Sequence, residues 1–166
     1  MERVIAHTNN KRPEIALYLA GTYKEEGDIS GAYKHYFKAR DEREVITTLE
    51  KAMIHGYQSE QDLFVARACL DMLLRSTDLT KTRAIRVHFS DVKDSSGADS
   101  PLLQFVEFLI EAIELEEFRL VNQMANNDFK KALDRDTSLY DKVDTICRKY
   151  FEQSIKPENP MQKMLA

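Results

Sequence analysis

Apolar residues recur every three to four positions through most of this 166-residue chain, and short polar turns interrupt them, the pattern of helix following helix. The first pair is predicted over 13–26 and 28–40. Pro13 suits the first helical position, where its missing N–H leaves nothing unpaired. Gly27 can take the left-handed conformation that ends a helix, and Asp28 can cap the next one. A third helix is predicted from Asp41 to His55, with Val45, Leu49, Ala52 and Met53 on one face and Gly56 as its end. Ser59-Glu60-Gln61-Asp62 reads as a capping box opening a fourth helix that runs to Arg75. That helix is apolar on nearly every side, and its polar stripe of Arg67, Asp71 and Arg75 has the spacing of intrahelical ion pairs. A fifth helix is predicted over 79–92 with Ala84, Ile85, His88 and Phe89 inward. The polar stretch 93–100 reads as a flexible loop. Ser100 and Pro101 then start a sixth helix to Leu115, whose wet edge is Glu107, Glu111 and Glu114. A seventh helix is predicted from Glu116 to Ala125, a short eighth from Asp128, and a ninth from Thr137 to Gln153, where Leu139, Val143, Ile146, Cys147 and Tyr150 share a face. An apolar tail, 157–166, follows the last helix.

Within the first pair, Leu19, Ala20, Tyr23, Gly27, Ala32, Tyr36 and Ala39 fall on the offsets of the tetratricopeptide repeat. The alanines let two antiparallel helices approach, and the tyrosines fill the space beside them. No later pair matches as well. One such unit leaves its apolar faces uncovered, so neighbours must stack on it. The predicted fold is therefore all-α, an α-solenoid of TPR-like helical hairpins forming a single domain over 1–166.

Composition narrows the function classes. The apolar fraction is 43% and the charged fraction 31%, with five glycines and four prolines, which excludes a disordered chain and a turn-rich β fold. The net charge of −4 and the lack of a basic domain argue against nucleic-acid binding. Lys34, His35, Lys38, Arg40 and Arg43 make a modest basic strip that could meet an acidic partner, though it reads first as a solvated face. Cys69 and Cys147 each lie in an apolar helical pattern, as buried thiols do in a reducing compartment. With no signal-peptide pattern, the expected location is the cytosol. The longest apolar stretch, 102–115, is too short and too often broken by glutamate to span a bilayer, so no direct membrane insertion is expected. The sequence carries no metal-binding, phosphate-binding or nucleophile motif, and His7, His35, His55 and His88 are scattered. The expectation is a protein without catalytic activity or cofactor that works by binding other proteins.

Several runs sharpen that expectation. Pro13-Glu14-Ile15 precedes Ala20 to Tyr23 and Ala32 to Tyr36; Ser59 to Ala68 reads SEQDLFVARA; Pro101 to Glu114 starts Pro-Leu-Leu-Gln-Phe; Leu139 to Phe151 ends in paired aromatics; and Met161 to Leu165 is rich in methionine. In this order they resemble the Golgi-to-ER traffic protein four family, the scaffold of tail-anchored membrane protein targeting. The resemblance implies an α-solenoid whose C-terminal half holds the N-terminal segment of a ubiquitin-like-domain cochaperone and, in animals, also meets a BAG-domain chaperone. The family's contact with its targeting ATPase lies in N-terminal helices without counterpart in this sequence, so the resemblance implies ATPase binding only through such a half. Relatives place an apolar β-hairpin before the Pro-Leu-Leu helix, where this chain has the polar 93–100.

On this reading an apolar partner helix docks against Tyr140, Val143, Cys147, Tyr150, Phe151, Met161, Met164 and Leu165. The spacing of Val143 and Cys147 also fits packing on the preceding helices. Met161, Met164 and Leu165 follow two prolines, with little of the chain left to cover them. The alternative is a generic TPR-like or proteasome-lid-like adaptor with a peptide groove centred on Tyr18 and Lys24.

Overall fold

The computed structural model describes residues 13–158 together with Met161 and Met164. Its first three helices are α1 (Pro13–Glu25), α2 (Ile29–Ala39) and α3 (Glu42–His55). Gly27 sits at φ +80° between α1 and α2, and the Asp28 carboxylate accepts the Gly31 N–H at 2.9 Å, the turn and cap that the sequence predicts. Ala20, Ala32 and Tyr36 are buried where the two helices meet. A methyl group at Gly31 would lie 2.7 Å from the Tyr23 ring, so this close approach requires glycine. The α2–α3 corner turns through Arg40 at φ 58°, and Asp41 caps α3 by accepting the Glu44 N–H at 3.1 Å.

The centre of the molecule is α4 (Gln61–Arg75), which touches α2, α3, α5 (Leu79–His88), α6 (Pro101–Glu114) and α9 (Thr137–Phe151). Eight apolar side chains of α4 are buried: Leu63, Val65, Ala66, Ala68, Cys69, Leu70, Met72 and Leu73. Helix α6 buries as many, from Leu102 to Ile113, and exposes Glu107, Glu111 and Glu114, the wet edge that the spacing predicts. At about 1.5–3 kcal/mol for each large apolar side chain removed from water, these two helices carry much of the hydrophobic driving force. No strand occurs among the described residues beyond one isolated bridge, so the architecture is an all-α array of helical hairpins.

Four local expectations are corrected. The capping box does not form: Gln58–Glu60 is a 3-10 turn, Glu60 makes no side-chain cap, and Asp62 is wholly buried. Its carboxylate accepts two hydrogen bonds from Arg135, at 2.6 and 3.0 Å, and one from Ser100 Oγ at 2.7 Å, tying the start of α4 to the approach of α9. Second, the α4 stripe does not pair within itself. Arg67 pairs with Asp136 at 2.7 Å and Asp71 with Lys142 at 2.6 Å, because α9 offers each a partner across the packing interface. Third, α5 stops at His88 and leaves Ala84 and His88 exposed; Ile85 and Phe89 face the core as expected, Thr82 joins them, and His88 reaches Glu50 of α3 at 2.7 Å. Fourth, the stretch expected to form two helices between α6 and α9 is divided into α7 (Phe118–Gln123), a π-turn (Met124–Asp128) and α8 (Lys130–Leu133).

The polar segment before α6 forms a closed turn. Lys93 and Asp99 make an antiparallel bridge, and the Asp94 N–H donates to the Ala98 carbonyl at 2.9 Å. Asp94 Oδ1 accepts the N–H groups of Ser96 and Ala98 at 2.8 and 3.1 Å, and Gly97 supplies the positive φ of +81°. Those hydrogen bonds hold the exposed Asp94 carboxyl below its ordinary pKa, chiefly the one from the Ser96 hydroxyl.

Candidate interaction surface at the carboxy-terminal end

Helix α9 starts from Asp136, whose carboxylate accepts the Ser138 N–H at 2.9 Å while pairing with Arg67. One face of α9 supplies Leu139, Val143, Ile146 and Cys147 to the core, all with no exposed surface. Val143 and Cys147 therefore contact this chain's own helices, and burial pushes both the Cys147 and Cys69 thiols up to about 12. The next row fastens α9 to the end of α4. Lys149 Nζ donates to the carbonyls of Leu73 at 2.7 Å and Leu74 at 3.1 Å, and Tyr150 OH to those of Ser76 at 2.8 Å and Leu73 at 3.1 Å. A cation on the last carbonyls of a helix also meets the negative end of its dipole. Phe151 is half-buried against Phe118, with ring centroids 5.8 Å apart.

Beyond Phe151 the chain reverses at Glu152, φ 57°, and runs back across α9. Ile155 is buried at the end of this strap. Its N–H donates to Asp144 at 3.0 Å, and its carbonyl accepts from Asn126 at 3.0 Å and from Tyr140 OH at 3.1 Å. Tyr140 is thus half-buried and tied to the strap. The latch residues Asp144, Ser154 and Ile155 are absent from the sequence-derived site; the one signal for them is a lone apolar residue in a polar stretch before a proline.

Asp144 sets the pH response of this latch. Burial pushes its carboxyl up, but hydrogen bonds from Ser154 Oγ, Arg148 and the Ile155 N–H together outweigh burial and hold it below the ordinary range. A depressed carboxyl contributes stability at pH values above its unfolded pKa, about 4, and loses it as pH falls through the lower folded value. Asp144→Asn is expected to lower stability by about 1 kcal/mol at pH 7. Urea unfolding at a series of pH values should show the gap to the unmodified chain closing below about pH 4. A gap of constant size would mean that the charge is not what holds the strap.

The face expected to stay open near the carboxy end is consequently covered from within: Val143 and Cys147 are buried in the core, Tyr150 is tied to the end of α4, and Tyr140 to the strap. Exposed apolar area lies farther on. Met161 is 73% exposed and Met164 88%, and both are helical; Leu165 lies outside the described residues. On the outer face of α6 and α7, Phe108, Leu115 and Leu120 are also exposed. Where the alternative reading centres its peptide groove, Tyr18 is exposed and Lys24 pairs with Glu44 at 3.0 Å. No group of three or more His, Cys, Asp or Glu side chains among the described residues could hold a metal ion, and no helix among them is long and apolar enough to cross a membrane.

Stacked helical hairpins that carry exposed apolar side chains outside a filled core define the class of helical scaffold proteins. Within that class the chain belongs to the Golgi to ER traffic protein 4 family, whose profile matches residues 4–166. It is 27% identical over 142 residues to "Protein GET4" of Arabidopsis thaliana, covering 84% of this chain and 43% of the relative. It is 27% identical over 158 residues to "Golgi to ER traffic protein 4 homolog" of Dictyostelium discoideum, covering 92% of this chain and 48% of the relative. The chain thus spans less than half the length of these curated relatives.

Proposed function

We propose that this chain is the cochaperone-holding part of a non-enzymatic cytosolic scaffold in the post-translational targeting of tail-anchored membrane proteins to the endoplasmic reticulum. Its partner is the apolar N-terminal segment of a ubiquitin-like-domain cochaperone, with a BAG-domain chaperone as a second partner of the same region. Membership of the Golgi to ER traffic protein 4 family supports the pathway. The observation that carries the binding reading is the exposure of Met161 and Met164 beyond the Ile155 latch. Methionine side chains are flexible and polarizable, so they mould to a partner helix with little strain. Because the α9–α4 seam is closed, the partner helix lies on these side chains and the neighbouring outer surface instead of inserting between α9 and α4.

The test is capture of the purified cochaperone from the same organism by the full chain and by its Met161→Asp/Met164→Asp variant. Two carboxylates in an apolar contact should weaken capture at least tenfold, or about 1.4 kcal/mol. Both positions are exposed, so the fold should be unaffected, which a thermal melt checks. Unaltered capture rejects these two positions.

A further inference from the structure

We infer that the groove between α2, α3 and α4 is a docking site for an acidic amphipathic helix of another protein. This groove lies apart from Met161 and Met164 and does not depend on the reading given for them. Its volume is about 440 Å³, and Ile29 and Tyr33 of α2, Leu49 and Ala52 of α3 and Phe64 of α4 line it. That size falls within the range of about 300–1,000 Å³ typical of binding pockets. The charged groups on its floor and the Thr48 hydroxyl are already matched. Arg67 is paired with Asp136, Asp71 with Lys142, and Thr48 Oγ1 donates to the Glu44 carbonyl at 2.7 Å. A floor without unmet charge between three helices suits the apolar stripe of a fourth.

The rim gives the occupant its sign. Helical spacing places Lys34 one turn beyond Ser30, Lys51 one turn before His55 and Arg75 one turn beyond Asp71. All three cations are exposed, and none forms an ion pair among the described residues. Against them stands the exposed carboxylate of Glu60, one turn before Phe64. The chain as a whole carries −4, so it has no general attraction for acidic partners, and the preference comes from this local rim. The complementary ligand has apolar residues at i, i+3 and i+7 with Asp or Glu beside them.

The probe is a fluorescein-labelled helical peptide of about 16 residues with leucines at that spacing and flanking glutamates, compared with one in which lysines replace the glutamates. Fluorescence anisotropy with the full chain should show the glutamate peptide binding at least tenfold tighter at low salt, with the difference shrinking as salt rises. The charge-reversed variant Lys34→Glu/Lys51→Glu/Arg75→Glu should abolish or invert that preference, and its unpaired surface positions leave the fold unchanged. Ala52→Gln, which places a polar side chain in the groove, should weaken both peptides, while Met161→Asp/Met164→Asp should weaken neither. Equal affinity for the two peptides, no binding of either, or binding undiminished in the groove variants overturns the inference. So does sedimentation showing that the chain alone is a dimer which charge reversal dissociates, because the occupant is then a second copy.

Discussion

Replacing Arg135 with methionine is expected to cost about 3 kcal/mol of folding free energy, because it strands a buried carboxylate. Asp62 has no exposed surface and accepts both Arg135 hydrogen bonds along its two oxygens, while Arg135 itself is a third exposed. Removing the arginine leaves Asp62 with Ser100 alone and also frees the Ser59 carbonyl, which Arg135 meets at 3.2 Å. The loss sits at the low end of the range for broken buried pairs, since water already reaches the guanidinium. Adding Asp62→Asn to Arg135→Met should recover part of the loss: the amide keeps an acceptor for Ser100 and removes the buried charge. Urea unfolding of the two single variants and the double variant closes this cycle. A single-variant cost below about 1 kcal/mol would mean that Asp62 is hydrated when its partner is gone, and that the junction is not a buried ion pair in solution.

Phe105→Ala should cost more, about 3–5 kcal/mol, a large share of the stability of a domain of this size. Phe105 is fully buried on α6, with its ring tilted against Phe129 at 5.7 Å. Truncation forfeits the transfer energy of the ring and leaves a cavity that the helices around it cannot close without moving. Phe108 touches the same Phe129 ring at 6.0 Å from the outer side, but is 43% exposed. Phe108→Ala should therefore cost about 1 kcal/mol or less. Thermal or denaturant unfolding of both variants separates burial from aromatic contact; equal losses would place the energy in the ring pairs.

Most helices were legible because each buries one stripe or nearly all of its surface, and the 3.6-residue period records which. The Gly27 turn, the Asp28 cap and the Ser100-Pro101 start were equally plain, since each follows from a backbone group that needs a partner or a φ that needs a residue type. Local spelling misleads where a residue's partner is distant in sequence. Ser59 to Asp62 has the spelling of a local cap, yet Asp62 answers to Arg135, and nothing local distinguishes the two uses. Arg67 and Asp71 have the spacing of an intrahelical pair, and α9 takes both. Helix ends at Arg40, Glu116 and Glu152 are left-handed without glycine, so no composition signal marks them. The shared face of Val143, Cys147 and Tyr150 was readable as apolar; that α4 and the Ile155 latch meet it could not be read, because period reports that a face is covered and not what covers it.

The Ile155 latch also limits where a partner of Met161 can sit. Met161 lies six positions beyond the anchored isoleucine, and a fully extended chain of that length reaches about 20 Å at most. Whatever binds Met161 is therefore leashed within about 20 Å of the α9 surface, and any second contact it makes with the body of the protein starts from a raised local concentration. Loosening the latch would lengthen the leash as well as destabilise the fold, coupling the grip on a partner to the protonation of a single aspartate.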